Sequence, residues 1–363
     1  MSLNWPQVLA WRMGQQFLDP VGAASVEDVV RRLGAVQAQV DASVELAVRL
    51  RRRHSRPGEV ARALAEGRIV KCWVMRGAVH LLTPEDGGAY LALMADKRQW
   101  ELPSWQSFYN LAPRDWESLR QAARDALTDG PLTPRELGAA ITDRSKFRHL
   151  DFAFAGHWWT LLKPLFWQGI LCFGPPRDGS PTFQRMEFNP RWAGLPDPDE
   201  AGARVVETYL RAYGPATIGH VRYWQNAGEK KARSWLASLG DRLAEVEVHG
   251  ECAYILREDL EELAATPPST AACFLPGYDQ WVLGPGTADA HIVPPARRTL
   301  LSRQAPFVIV GGVVSGTWTL TGHHVAVSWF AEAGPLPRRG LGEGVERLAA
   351  ILDRPLQLST RTV

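Results

Sequence analysis

Three runs in succession decide the fold: Ala216-Thr-Ile-Gly-His-Val-Arg-Tyr-Trp224, KKARSWLASLG (230–240) and AEVEVHGECAYILR (244–257). The first two have helical spacing. The third is two strand-like runs hinged at His249-Gly250, as in a hairpin. Working outward, the same order stands upstream. Thr133-Pro-Arg-Glu136 is a capping box with proline at the first helical position, HWWTLLKPLFWQG (157–169) follows, and then ILCFG and TFQRMEF, separated by the loop PPRDGSP (175–181). Further back, Ser25-Val-Glu-Asp28 opens a helix with Val26, Val29, Val30 and Leu33 on one face and Gly34 as its stop. IVKCWVMRGAVHLLT (69–83), broken at Gly77, is the matching ribbon. Helix, helix, hairpin, three times over, is the grammar of tandem winged helices; alternation of this kind also occurs in other α+β proteins.

After TPPST (266–270) the chain becomes strand-like and nearly uncharged through FVIVGGVVSGTWTLTGHHVAVSWF (307–330). It closes on a helix, GEGVERLAAILDRPL, with Val345, Leu348, Ala349 and Leu352 as its apolar positions. The expected architecture is α+β. Three winged-helix units (1–115, 116–198 and 199–265) form a curved scaffold, followed by a β-rich unit (266–363).

Forty-one Lys+Arg against 39 Asp+Glu leave a net charge of +2, which excludes a polybasic DNA coater. Residues 1–150 carry 21 basic and 17 acidic side chains, so a slight positive excess sits in the first blocks. The four cysteines form no C-x-x-C pair, which speaks against a zinc knuckle, an iron–sulfur cluster or a disulfide scaffold. No apolar run approaches the ~20 residues of a membrane span, and the start lacks a basic-then-apolar leader. The expectation is a cytoplasmic protein without metal or cofactor, and a monomer, because internal repeats already supply an extended surface.

The most informative short stretch is Gly34-Ala-Val-Gln-Ala-Gln-Val40. With Gly34 ending the helix, an extended path is favoured. Gln37 and Gln39 then project from one face, with Val36, Ala38 and Val40 anchored beneath. A polar turn with two solvated glutamines fits the same letters.

LGAVQAQVD after an N-terminal helix, Trp73-Val-Met-Arg-Gly-Ala-Val-His80, and FLPGYD (274–279) together resemble the AlkZ/YcaQ-type winged-helix DNA glycosylases across the whole chain. The nearest branch is the one acting on azinomycin-type interstrand crosslinks. That family uses Gln-x-Asp in one branch and Gln-x-Gln in another, and this chain carries the second form. The resemblance implies that Gln37 and Gln39 are catalytic and that the substrate is double-stranded DNA carrying alkylated purines.

The chemistry is consistent with two neutral amides. A purine alkylated at N7 or N3 is already cationic and leaves without a general acid. What remains is to stabilise an oxocarbenium-like sugar and deliver water to C1′. One glutamine would position the water, and both would present carbonyl oxygens to the developing charge. No catalytic lysine is implied, so the expected enzyme is monofunctional and leaves an abasic site. A nucleotide tethered to the opposite strand cannot flip into a deep pocket, so the site should be an open cleft. A role in self-resistance to a DNA-alkylating natural product follows from the same resemblance.

Candidate DNA contacts are Arg49, Arg51, Arg52 and Arg53 in the densest basic run, then Arg76 and His80 on the first ribbon. To these are added Lys230, Lys231 and Arg233 opening a helix, and His323 and His324 at a hairpin turn. Each has a plain structural alternative: a solvated helix end, a polar pair, an ordinary turn. Asp279 is expected to be structural, and Trp158 and Trp159 to belong to the core. Two other functions remain open on sequence: a winged-helix regulator reading a duplex site, and a protein that sequesters the alkylator.

Overall fold

The computed structural model describes residues 3–363. It is a mixed helix-and-strand protein in which helices predominate. The chain divides into two compact units, Ala61–Val205 and, around it in sequence, Met1–Val60 with Val206–Val363.

In the unit formed by the two ends of the chain, five strands make a sheet. Ala272–Leu275, Phe307–Val310, Val313–Thr321 and His324–Trp329 run antiparallel in sequence order. Gln357–Thr362 then adds parallel to the last of them. One core packs Trp281, Phe307, Ile309, Val314 and Phe330 with Leu9, Met13 and Leu50 from the start of the chain. A second joins Phe274, Trp318, Val327 and Trp329 to Leu341, Val345 and Leu348 of the helix Arg338–Leu352. That helix starts earlier than its sequence suggested, and its buried stripe runs through Leu341 and Ile351 rather than Ala349 and Leu352. In the same unit Leu243–Val248 pairs with Glu251–Leu256. His249 and Gly250 sit at φ 48° and 85°, the left-handed pair a tight hairpin requires. This is the turn read from the sequence.

In the unit Ala61–Val205, Val70–Trp73 pairs antiparallel with Val79–Leu82, and Leu171–Arg177 with Ser180–Arg185. The second hairpin is tighter than PPRDGSP implied. Its strand runs on through Pro175 and Pro176, with a bulge after Gly174, and only Asp178-Gly179 turns. The bulge carries the pairing from Gly174 straight to Arg177, so the missing N–H groups of Pro175 and Pro176 cost no ladder bond. Trp73 meets Phe166 and Phe173 with ring centroids 4.9 Å apart in each case, and Phe166 meets Phe183 at 5.6 Å. On the helix Trp158–Trp167, Leu161, Leu162 and Leu165 are buried as expected. Trp159 is exposed, which corrects its placement in the core: it lies in the first turn of the helix, off the leucine stripe.

Both acidic capping boxes are present. Asp28 N–H donates to Ser25 Oγ (3.1 Å) and Ser25 N–H to Asp28 (3.1 Å). Thr133 and Glu136 exchange the equivalent bonds at 3.3 and 2.8 Å. A third box, Thr217 with His220, opens the helix Ile218–Gln225.

Candidate active site

The helix Val26–Leu33 ends at Gly34, whose φ of 78° turns the backbone sharply out of the helical path. The chain leaves as the two-residue strand Val36–Gln37, with Ala35, Val36 and Ala38 almost wholly buried. The helix Asp41–Leu50 follows directly. Gln37 is therefore half-buried and Gln39 exposed, on one side of a segment pinned by its small apolar residues. Val40 does not serve as a third anchor. It is 41% exposed, because the extended path bends after Ala38 and Val40 is already the cap residue of the next helix.

The two side chains meet. Gln37 Nε2 donates to Gln39 Oε1 at 2.6 Å. One lone pair of the Gln39 carbonyl is thus engaged by the neighbouring amide. With that bond made, Gln37 retains its carbonyl oxygen as an acceptor and Gln39 its amino group as a donor. The pair is thus polarised, with one acceptor end and one donor end.

The run Arg49–Arg53 is largely turned inward. Arg49 donates to the carbonyl of Ile351 and to Ser55 Oγ (3.3 Å). Arg51 has no exposed surface and forms a bidentate pair with Asp279, Nη1 to Oδ2 at 2.8 Å and Nη2 to Oδ1 at 2.7 Å. Burial disfavours its charge, but the carboxylate outweighs burial and raises the guanidinium above its ordinary value. Arg52 donates to Ala24 O (2.9 Å) and pairs with Glu59. Arg49 and Arg51 are therefore internal struts rather than phosphate contacts, and Arg52 is committed within the fold. Only Arg53 in the run exposes its side chain. The reason is geometric: the C-terminal end of this helix enters the core, where long guanidiniums satisfy carbonyls and a distant carboxylate.

Arg76 and His80 are not two teeth of one strand. Arg76 sits in the turn Met75–Gly77 at φ 54°, half-buried. His80 lies fully buried opposite Cys72, its Nδ1 3.1 Å from Ala78 O. Burial, with the Arg76 charge adding to it, holds the imidazole down at about 3, so it is neutral and out of reach of DNA. Lys230 is exposed on the helix Glu229–Ala237, Lys231 lies 6.0 Å over the Trp235 ring, and Arg233 pairs with Glu229 at 2.8 Å. His323 and His324 are exposed at the two-residue turn joining Val313–Thr321 to His324–Trp329, with His323 Nδ1 2.9 Å from Pro355 O. Among the described residues no group of three or more His, Cys, Asp or Glu side chains is arranged to hold a metal. No helix among them is long and apolar enough to cross a membrane.

Sequence reasoning overlooked Gln16 and Tyr213. Gln16 Nε2 donates to Ala212 O at 3.1 Å, and its Oε1 accepts from Arg51 at 3.4 Å. Tyr213 Oη donates to Leu33 O at 3.0 Å. No local pattern marks either residue, because each partner is remote in sequence.

A small-residue turn thus presents two paired amides in a chain of recurring helices and hairpins. The class of protein comes from its relatives. The sequence pattern described as "DNA glycosylase AlkZ-like" matches residues 30–351. An interstrand DNA cross-link repair glycosylase of Streptomyces sahachiroi is 39% identical, over 98% of this chain and 97% of that protein. The solved structure of the Streptomyces sahachiroi DNA glycosylase AlkZ superposes over the whole of both chains with a TM-score of 0.94 at 38% identity. The chain belongs to the AlkZ-like family of DNA glycosylases.

Proposed function

We propose that this glycosylase excises cationic alkylated purines from duplex DNA. In this reading bulky N7 adducts and interstrand crosslinks are the favoured lesions, the product is an abasic site in an uncut strand, and the setting is self-resistance to a DNA-alkylating natural product. The observation that carries the reading is the Gln37–Gln39 bond. It leaves one carbonyl, that of Gln37, to accept a hydrogen bond from water and hold it against C1′. Gln39 fixes the Gln37 amide and so aims that oxygen. The leaving base is cationic and needs no proton donor, so the absence of a carboxylate from the pair is no obstacle. Position matters more than basicity when water attacks a near-cation.

DNA would be held by the exposed Arg53, Lys230, Arg233, His323 and His324, with the half-buried Arg76 and Lys231 beside them. The three helix–hairpin blocks would act as winged-helix units over 1–115, 116–198 and 199–265, beside the β-rich 266–363. Sequence resemblance to the Streptomyces sahachiroi cross-link repair enzyme supports the crosslink as substrate.

The test uses duplex DNA with a single N7-alkylguanine. Wild type and Gln37→Ala are incubated with it, and abasic sites are revealed by heating in base. Strand breaks from wild type only are expected. Equal release of uracil and N7-alkylguanine would refute the dependence on a cationic leaving group. Borohydride is expected to trap no protein–DNA adduct.

A further inference from the structure

The glutamine segment is bracketed by a buried polar frame. On its entry side, Leu33 is the last residue of the helix before the Gly34 turn, and its carbonyl accepts the Tyr213 hydroxyl at 3.0 Å. A helix-terminal carbonyl lacks an intrahelical partner, so this bond fixes the point from which the segment departs. The Tyr213 ring is itself immobilised. It stacks on Tyr209 at 4.8 Å and meets Trp224 at 5.4 Å. Gly284 presses against it so closely that a Cβ there would lie 2.2 Å from the ring.

On the exit side, the helix Asp41–Leu50 starts after Val40 and is closed at its far, C-terminal end by Arg51, locked to Asp279. Asp279 also accepts Trp281 N–H at 2.8 Å, so the carboxylate is itself held. Gln16 joins the two sides, bonding Ala212 O next to Tyr213 and accepting from Arg51. Every member of this frame is buried.

We propose that Tyr213, on the entry side, and the Arg51–Asp279 pair, on the exit side, are positioning residues that set where the Gln37–Gln39 amides stand. None of them needs to touch DNA. The frame gives the FLPGYD motif a task through its terminal Asp279, by way of Arg51. This rests on Gln37 and Gln39 being the catalytic pair.

The test is Tyr213→Phe, which removes one hydroxyl and keeps the stacked ring. Tyr209→Phe is the control: it loses a comparable buried bond, to Gly284 O at 3.2 Å, in the same stack but away from Leu33. Single-turnover excision from a duplex with one N7-methylguanine, affinity for the same duplex and melting temperature are measured for both. Tyr213→Phe is expected to lower the excision rate about 10- to 100-fold, with affinity within about twofold. Tyr209→Phe is expected to shift melting similarly while its rate stays within about twofold. A wild-type rate in folded Tyr213→Phe, or equal rate losses in the two variants, would overturn the positioning role. Gln37→Ala in the same series separates the two claims. If it is inactive while Tyr213→Phe is normal, the catalytic pair stands and the frame falls. If it retains the wild-type rate, the catalytic reading fails and the frame falls with it.

Discussion

The two compact units solve the problem of a stable interior differently. In the unit Met1–Val60 with Val206–Val363, two arginines are fully buried. Arg51 faces Asp279, and Arg12 donates to Gly214 O (3.2 Å) and Pro215 O (2.6 Å). Asp289 lies near Arg12 and between His220 (3.4 Å) and His291 (3.0 Å). In the unit Ala61–Val205 the centre is a cluster of rings around Trp73, Phe166, Phe173 and Phe183. Its one fully buried histidine is neutral. Aromatic packing gives stability through apolar burial and tilted or edge-on ring contacts. Buried ion pairs give little net stability, but their directional bonds permit only one arrangement. The directional interior is the one behind the glutamines.

The sharpest way to break this contrast is Asp279→Ala, which strands the Arg51 charge. It is expected to cost about 3–5 kcal/mol by urea denaturation. Replacing the pair together, Arg51→Met with Asp279→Leu, should recover most of that stability without recovering the excision rate. If both return, directionality is not what the pair contributes. Phe183→Ala in the other unit should cost about 3–4 kcal/mol through a cavity, and leave single-turnover excision by the folded enzyme near normal.

Acid should separate the units next. The folded pKa of His80, about 3, lies below its ordinary 6.5. Its contribution is complete above pH 6.5 and is lost as pH falls toward 3. At pH 5 the loss is about 2 kcal/mol. The protection factors of the Val79–Leu82 amides, that is, exchange corrected for its intrinsic pH dependence, should therefore fall between pH 7 and 5, and His80→Leu should abolish the dependence. Asp289 is also buried, yet the bond to His220 and the Arg12 charge outweigh that and depress its carboxyl. Its share of stability is present above the usual carboxylate range and is lost only on stronger acidification. The smallest effect is a control for the comparison. Ser25→Ala and Thr133→Ala remove matching caps, one per unit, and each should cost about 1 kcal/mol in thermal melts.

These differences explain what could be read in advance. Caps, hairpin turns and the Gln-x-Gln spacing are local, so Ser25, Thr133, His249-Gly250 and Gln37–Gln39 were visible in the sequence itself. The run Arg49–Arg53 looked like a phosphate grip because its composition is local, whereas its partners are not. Asp279 lies 228 residues from Arg51, and Ile351 lies 302 from Arg49. The polar strand Gln357–Thr362 left no trace either, since its mostly exposed side chains give no alternation of apolar and polar positions. The mixture of helices and hairpins followed from periodicity, and the two glutamines stood out through the family resemblance more than through their spacing. The frame around the pair is made of long-range bonds and is legible only in three dimensions.

The separation between Arg51 and Asp279 also has a consequence in time. A ribosome adding roughly 5–20 residues per second needs about 10–45 seconds to travel from one to the other. Throughout that interval Arg51 stands without its carboxylate, while Ala61–Val205 can already assemble. The Arg51–Asp279 pair therefore forms late, after most of the chain has emerged.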